Sequence, residues 1–316
     1  MKPFAFVFPG QGSQAVGMLD AWGDHPAVRE TLAEASQALG EDIGRLIQDG
    51  PKEALALTTN TQPVMLVAGV AAYRAWRAEG GAQPAVLAGH SLGEYAALVA
   101  AGALTLAQAA PLVRFRAQAM QEAVPVGVGA MAAILGMDAA GVIAGCGQAS
   151  ASFGAGSSEI VEAVNFNDPV QTVIAGSKAA VDKACELLKA AGAKRALGLP
   201  VSAPFHSSLM KPAADRLRDR LAATAIATPM IPVINNIDVA AETDADRIRD
   251  ALYRQAFGPV RWVECVRAIQ ARGIDTLVEC GPGKVLAGMT RRIDAALTGL
   301  ALYDPATLAE VKGDVA

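Results

Sequence analysis

The sequence predicts an α/β protein in which a small α+β subdomain is inserted into a larger parallel-sheet body. Short apolar runs alternate with stretches of helical spacing, which is typical of a parallel sheet covered by helices. The chain has 316 residues and is 52% hydrophobic, so it can bury a large core. Between Gly127 and Ser158 the only charged residue is Asp138, and this change of character marks the insertion.

The larger body is expected to begin with a buried strand that ends at Pro9-Gly10. That strand covers residues 4–8. The other predicted strands and helices of this body, in chain order, cover residues 27–39, 63–79, 85–88, 210–223, 244–257 and 276–280, with a further helix after 283. The uncharged stretch 95–113 has the length of a membrane span, but Gly102 and Pro111 interrupt it. Two buried helices joined by a turn explain it better, and no membrane association is expected.

The inserted segment has the element order β-α-β-β-α-β. Its predicted elements are 130–135, 138–145, 160–165, 170–175, 177–191 and 194–199. This order is typical of the ferredoxin-like arrangement. We therefore assign residues 127–197 to a ferredoxin-like small subdomain, and residues 1–126 and 198–316 to the larger body.

Charge and cysteine content exclude several functional classes. The net charge is −4, whereas a nucleic-acid-binding protein usually carries a basic excess. Four dispersed Cys and three His give no zinc-ligand spacing, so no metal site is expected. Free cysteines and an N-terminal apolar run too short for a signal peptide predict a cytoplasmic protein.

The segment Gly89–Gly93 has the sequence GHSLG between a predicted strand and a predicted helix. GxSxG in that context indicates a nucleophile elbow, a sharp turn that projects Ser91 at the carboxyl end of the strand. The N–H of Leu92 can then face a developing oxyanion. The motif therefore predicts a hydrolase-like fold for the large subdomain.

A serine nucleophile needs a base, and elimination among three histidines selects His206. His90 adjoins Ser91, and neighbouring side chains in such a turn diverge, whereas His25 lies in a polar stretch expected at the surface. No acidic residue stands out as a third member of a triad. A backbone carbonyl is the alternative partner for the imidazole.

Gln11 follows the first predicted strand between two glycines, which allow close approach of the backbone to a ligand. Its N–H is a candidate second oxyanion donor. A rival interpretation is dinucleotide binding, because Gly10, Gly12 and Ala15 fit a loose fingerprint. No strand ending in an acidic residue follows at the required distance, so this interpretation is disfavoured.

Arg116 falls on the apolar face of a predicted helix, between Leu112 and Val113. A buried guanidinium needs an anionic partner. Two alternatives remain open here: a salt bridge to a core carboxylate, or a bidentate clamp for a substrate carboxylate.

Seven collinear motifs make the chain resemble the malonyl-CoA:acyl carrier protein transacylase family. They are FVFPGQGSQ at 6–14, GHSLGEYAALVAAGAL at 89–104, MQEAVPVGVGAMAAILG at 120–136, NFND at 165–168, PFHS at 204–207, QAFGPVRW at 255–262 and GPGKVLAGMTRRI at 281–293. The resemblance implies ping-pong transfer of malonyl from coenzyme A, through Ser91, to the phosphopantetheine thiol of an acyl carrier protein in fatty acid synthesis. Both thioesters are substrates, and no cofactor is implied.

The resemblance also implies roles for individual residues. Gln11 and Leu92 would form the oxyanion hole, Arg116 would hold the malonyl carboxylate, and Gln255 would orient His206 through its main-chain carbonyl. The remaining implied positions are Asn167 in the thioester channel and the basic pair Arg291 and Arg292 facing coenzyme A or carrier-protein phosphates. Phe205 would crowd an α-methyl branch and favour malonyl over methylmalonyl. A local basic patch would dock the acidic carrier, with the candidates Lys189, Lys194, Arg195, Lys284, Arg291 and Arg292.

Other functions are weighed against this one. The same site would serve a free-standing acyltransferase of a polyketide or malonate decarboxylase system. A GxSxG esterase or thioesterase is disfavoured by Arg116, because simple esters bring no carboxylate. A catalytically inactive binding scaffold is disfavoured because Ser91, His206 and Arg116 are all present.

Overall fold

The computed structural model describes residues 2–201 and 203–316. Within them the strands are β1 (Phe4–Phe8), β2 (Val86–Gly89), β3 (Gly129–Leu135), β4 (Val161–Asp168), β5 (Gln171–Ser177), β6 (Arg195–Gly198), β7 (Val233–Ile234), β8 (Thr276–Cys280) and β9 (Thr298–Leu302). The helices are α1 (Pro26–Leu39), α2 (Ile43–Asp49), α3 (Lys52–Ala56), α4 (Thr58–Ala78), α5 (Gly93–Ala100), α6 (Leu106–Glu122), α7 (Ala139–Ala151), α8 (Lys178–Ala190), α9 (Lys211–Ala222), α10 (Ala245–Gln255), α11 (Trp262–Gln270), α12 (Val285–Ile293) and α13 (Pro305–Asp314).

The larger sheet has the order β7-β2-β1-β8-β9, and every neighbouring pair is parallel. Its central strand β1 is buried on both faces, which explains its uninterrupted apolar sequence. Phe4 and Phe6 pack edge-on against Trp76 of α4. On the opposite face, Ala5 and Val7 share a core cluster with residues of α11.

The smaller sheet has the order β4-β5-β3-β6 with antiparallel neighbours, as expected for a ferredoxin-like arrangement. Helices α7 and α8 supply a separate apolar cluster with this sheet. Strand β4 also contacts the larger body, where the N–H of Phe166 donates to Val260 O at 3.0 Å. The predicted fold class is confirmed, whereas the boundaries at 126/127 and 197/198 stay a prediction.

Several elements were not predicted: α2, α3, α11, α13, β7 and β9. The predicted helix at 138–145 extends to Ala151, because the Asp138 side chain caps its start and small residues continue it. The uncharged stretch 95–113 forms parts of α5 and α6 with a turn between them, as predicted. Within the described residues, no helix combines the length and apolar character that crossing a membrane requires.

Candidate active site

Ser91 lies in the turn between β2 and α5 with a φ of 52°, in the left-handed region that non-glycine residues rarely adopt. The turn is so tight that a Cβ on Gly89 would lie 1.9 Å from the carbonyl carbon of Gly93. A Cβ on Gly93 would lie 2.1 Å from Phe8 O. Both flanking glycines are therefore required by close packing, and the segment has the geometry of a nucleophile elbow.

His206 lies directly against this serine. Its Nε2 is 2.6 Å from Ser91 Oγ, and its Nδ1 is 2.8 Å from the main-chain oxygen of Gln255. A carbonyl oxygen can only accept, so Nδ1 carries the proton and Nε2 presents its lone pair to the serine hydroxyl. The third position of the triad is thus occupied by a backbone carbonyl.

The environment of His206 keeps its imidazole neutral. The residue is buried, and burial together with the positive charge of Arg116 lowers its pKa from 6.5 to about 3. A neutral imidazole can accept the Ser91 proton, which a general base must do. His206 also has a positive φ, 65°, so the backbone on both sides of the Ser91–His206 contact is held in an unusual conformation.

Arg116 of α6 is the third member of the cluster, and it is only 1% exposed. Its Nη1 donates to Gln62 Oε1 at 2.5 Å, and its Nη2 lies 3.0 Å from Gln255 Oε1 and 3.2 Å from Ser91 Oγ. The guanidinium carbon lies 5.6 Å from the centre of the Tyr95 ring. All of these partners are neutral.

No carboxylate of residues 2–201 and 203–316 lies within ion-pair distance of Arg116. The core salt bridge that the sequence left open is therefore not formed by the described residues. The charge of Glu94 acts on the guanidinium only across the Gln255 amide. The direct contacts of Arg116 are all neutral, so an incoming anion would be the first to pair with it. This arrangement favours the second alternative, a clamp for a substrate carboxylate.

A cavity of about 110 Å³ opens over the three side chains. Gln11, Leu92, Phe205 and Asn165 contribute to its wall. Within the described residues, neither the N–H of Gln11 nor that of Leu92 is paired with an acceptor. Both amides are therefore free to donate to a ligand oxygen beside Ser91.

A second cavity of about 300 Å³ adjoins the first, and the two share Gln11, His90, Asn165 and Leu199 in their walls. Asn167 of β4 lines this second cavity together with residues of α12. The 9–13 segment, the smaller sheet and α12 form most of its wall. The role of Asn167 in a thioester channel stays a prediction.

The other two histidines do not pair with Ser91. His90 lines both cavities, and its Nε2 is 2.9 Å from Asn167 Oδ1. His25 precedes α1 and lies 3.3 Å from Glu79; its side chain is 14% exposed, so the expected surface position is wrong. Packing against Trp22 accounts for this burial.

The basic pair lies at the end of α12. Both Arg291 and Arg292 are exposed, and Arg292 Nε donates to Asp168 Oδ2 at 2.7 Å. Lys189, Lys194, Arg195 and Lys284 are exposed as well. Their accessibility is compatible with the predicted docking patch, which stays a prediction.

The sequence did not single out several polar residues that surround Ser91. Gln62 is a buried amide on the apolar helix α4, and that mismatch is a signal that could have found it. Glu94 adjoins the elbow and is 2% exposed. Asn236 holds the Ser91 N–H through its Oδ1 at 2.7 Å, and no local pattern marks it.

The acyl transferase domain family matches residues 5–297. The malonyl CoA-acyl carrier protein transacylase of Escherichia coli (strain K12) is 54% identical over 310 residues, covering 98% of each chain. The chain belongs to the malonyl CoA-acyl carrier protein transacylase family. The resemblance inferred from the seven motifs is thereby confirmed.

Solved members of this transacylase family share the fold over nearly the whole chain. The acyl-carrier-protein S-malonyltransferase of Burkholderia pseudomallei 1710b is 64% identical, with a TM-score of 0.95, over 99% of this chain and 100% of that one. A malonyl-transacylase in complex with its type II PKS acyl-carrier protein is 48% identical, with a TM-score of 0.95, over 99% of this chain and 100% of that one.

Proposed function

We propose that this chain transfers a malonyl group from coenzyme A to the phosphopantetheine thiol of an acyl carrier protein, through a malonyl ester on Ser91, in fatty acid biosynthesis. One observation carries the choice of acyl group. Arg116 is buried among neutral partners, and its Nη2 lies 3.2 Å from the Ser91 hydroxyl oxygen. A malonyl carboxylate supplies the missing anion while its thioester carbonyl lies at Ser91.

The first half-reaction follows from the tautomer of His206. As Ser91 Oγ attacks the thioester carbon, its proton moves to His206 Nε2, and the N–H groups of Gln11 and Leu92 stabilise the oxyanion. The tetrahedral intermediate collapses when the carbon–sulfur bond breaks, and the coenzyme A sulfur takes the proton from Nε2. The second half-reaction is the reverse, with the carrier thiol as nucleophile and Ser91 as leaving group.

The malonyl carboxylate also acts on the base. Burial lowers the pKa of His206, and the charge of Arg116 lowers it further. A bound carboxylate offsets that charge, so the pKa of His206 rises and the imidazole becomes a better acceptor for the Ser91 proton. An acetyl group brings no such charge, and selection is therefore expressed in the chemical step as well as in binding.

The remaining features of the proposal concern partners and location. Arg292, with Arg291 beside it at the end of α12, would bind phosphates of coenzyme A or the carrier. The thioester is already activated, so the reaction needs no cofactor. Four unpaired cysteines, three of them buried, support a reducing, cytoplasmic location.

A polyketide pathway is the second candidate, supported by the 48% identical malonyl-transacylase that was solved with a type II PKS acyl-carrier protein. The two candidates share the first half-reaction and differ in the carrier. Transfer rates to a fatty-acid carrier and to a type II polyketide carrier, measured from the same malonyl-enzyme, separate them. A faster rate with the polyketide carrier would contradict the fatty-acid assignment.

The experiment that tests the activity uses the purified chain and malonyl-CoA without a carrier. We expect mass spectrometry to find a malonyl group on the peptide that contains Ser91, and holo carrier protein to remove it. An unmodified peptide with intact malonyl-CoA would contradict the proposal. Free malonate accumulating in step with coenzyme A would indicate a hydrolase instead.

A further inference from the structure

A buried carboxylate lies directly behind the site. Glu94 is in the first turn of α5, three residues after Ser91, and is 2% exposed. Its Oε2 accepts from Gln255 Nε2 at 3.0 Å and from the main-chain N–H of Asn236 at 2.9 Å. It does not line the cavity over Ser91, so it has no contact with the substrate.

Gln255 joins every member of the catalytic cluster. Its main-chain oxygen accepts from His206, its Oε1 accepts from Arg116 at 3.0 Å, and its Nε2 donates to Ser91 O at 2.9 Å. A side-chain amide can be turned either way round, with opposite hydrogen-bonding character at its two ends. Glu94 and Ser91 O both accept at the NH₂ end, and Arg116 donates at the oxygen end, so these three partners together fix the orientation of the amide.

Asn236 holds the other side of the elbow. Its Oδ1 accepts from Ser91 N at 2.7 Å, and its Nδ2 donates to Gly89 O at 2.8 Å. The main-chain N–H of the same residue is bound to Glu94. One carboxylate oxygen therefore anchors both residues that fix the strained Ser91 backbone.

We propose that Glu94 is a positioning residue of the transfer reaction: its buried carboxylate fixes the Gln255 amide and the Asn236 main chain, and through them it orients Arg116, His206 and Ser91. This inference rests on the proposed malonyl transfer for its substrate, but its geometry concerns the nucleophile itself. Burial raises the pKa of Glu94 to about 7, and the Gln255 and Asn236 hydrogen bonds counteract that rise, so these contacts favour the ionised form.

The test compares Glu94→Gln with the unsubstituted chain. The amide keeps the volume of the carboxylate but removes its charge, so its Oε1 accepts from Gln255 Nε2 and Asn236 N more weakly than the charged Oε2 does. We expect acylation of Ser91 at saturating malonyl-CoA to slow by about 10- to 100-fold. A second readout is labelling of Ser91 by an uncharged fluorophosphonate, which requires Ser91 and His206 but no carboxylate clamp, and it should slow as well.

Glu279→Gln is the matched control. Glu279 of β8 is also fully buried, and burial raises its pKa to about 7, but its Oε2 accepts from Ala287 N at 2.9 Å instead of from a site residue. We expect this variant to lose thermal stability with no change in either Ser91 reaction. If Glu94→Gln and Glu279→Gln lower Tm by similar amounts but only Glu94→Gln slows the reactions of Ser91, the effect of Glu94 is positioning and not general destabilisation.

A double variant tests the route of the effect. Gln255→Leu removes the side-chain amide but keeps the main-chain carbonyl that holds His206. If Glu94 acts through that amide, the loss in Glu94→Gln, Gln255→Leu is smaller than the product of the two single losses. Losses that multiply would exclude the route through the Gln255 amide, and a Glu94→Gln variant that reacts as fast as the parent in both assays would overturn the proposal. If the parent forms no malonyl-serine, the proposed function fails, and the fluorophosphonate rates alone decide the role of Glu94.

Discussion

Nη2 of Arg116 lies 3.2 Å from Oγ of Ser91, so the cation and the nucleophile are neighbours in the same buried cluster. The serine hydroxyl is at the same time 2.6 Å from His206 Nε2. A substrate whose carboxylate reaches the guanidinium thus places its thioester carbonyl against a serine already paired with its base. Recognition of the acyl group and its attack are coupled by this short distance.

Arg116→Ala removes the clamp and should change acyl-group selection. We expect kcat/KM for malonyl-CoA to fall by about 100-fold or more, because a buried charge pair with the substrate is lost. Acetyl-CoA has no carboxylate, so its kcat/KM should fall by less than about 10-fold. Steady-state kinetics with both donors measure the ratio, and an equal loss for the two would contradict the clamp.

Ser91→Ala should abolish the covalent intermediate, since no hydroxyl remains to form the ester. His206→Ala should slow acylation by about 100- to 10,000-fold, the usual contribution of a positioned base. Both variants are checked by mass spectrometry of the peptide that contains residue 91 after exposure to malonyl-CoA. A stable adduct on that peptide in Ser91→Ala would show that another residue is acylated.

The ionisation of His206 gives a pH prediction. Burial and the charge of Arg116 hold its pKa near 3, and His90 acts in the same direction. The neutral imidazole is the form present above the pKa, so His206 should not titrate between pH 8 and pH 5. In Arg116→Met the cation is gone, the pKa of His206 rises, and protonation begins at higher pH.

With three histidines in the chain, NMR of ring-labelled protein measures this directly. A His206 signal that titrates near its ordinary pKa in both proteins would contradict the argument. The charge of Arg116 also lowers the pKa of Glu94, so removing Arg116 raises that pKa. The rate of acetyl transfer by Arg116→Met should therefore begin to fall at a higher pH on acidification than that of the parent. This holds whether protonation of His206 or of Glu94 causes the fall.

The sequence identified residues that either complete a local motif or interrupt a local hydrophobic pattern. Ser91 lies in a turn motif that only a tight strand-to-helix connection explains, and Arg116 interrupts an apolar helix face. His206 followed by elimination, because the chain has only three histidines. In the structure these three side chains lie together, although 115 residues separate Ser91 from His206.

The residues that the sequence missed act through tertiary contacts that leave no local pattern. Asn236 reaches Ser91 N across 145 positions. The resemblance implied the main-chain contact of Gln255 with His206, but not the bond from its side chain to Ser91 O across 164 positions. Strand β7 has two residues, too few to show an alternation, and it exists because it pairs with β2. Strand β7 is buried by residues that are distant in the chain, and a single sequence does not show which residues pack against it.

Phe205→Ala should relax selection against an α-methyl branch. Phe205 lines the small cavity over Ser91 and is 8% exposed, so truncation enlarges the space beside the acyl group. One methyl group contributes about 1–3 kcal/mol in such a pocket, and the methylmalonyl-to-malonyl ratio of kcat/KM should rise by about 10-fold or more. Phe205→Leu, with less volume removed, should fall between the parent and Phe205→Ala. A ratio unchanged in both variants would show that another residue restricts the branch.

The Arg292–Asp168 pair gives a prediction about the phosphates of the donor. Asp168 has a side chain only 1% exposed; one of its oxygens accepts from Arg292 Nε at 2.7 Å and the other from Val170 N at 3.0 Å. The carboxylate holds the guanidinium by one edge, and the arginine side chain remains half exposed on α12, the helix whose Val285, Leu286 and Met289 line the second cavity.

Arg292→Ala should therefore raise KM for malonyl-CoA by about 10-fold with little change in kcat, because it removes one phosphate contact remote from the acyl group. Malonyl-pantetheine lacks these phosphates, so its KM should stay the same. Asp168→Asn keeps the shape but weakens the hold on Arg292, and it should give a smaller rise with malonyl-CoA alone. A KM that rises equally for both donors would mean that the pair stabilises the packing of α12 on β4 and does not recognise phosphate.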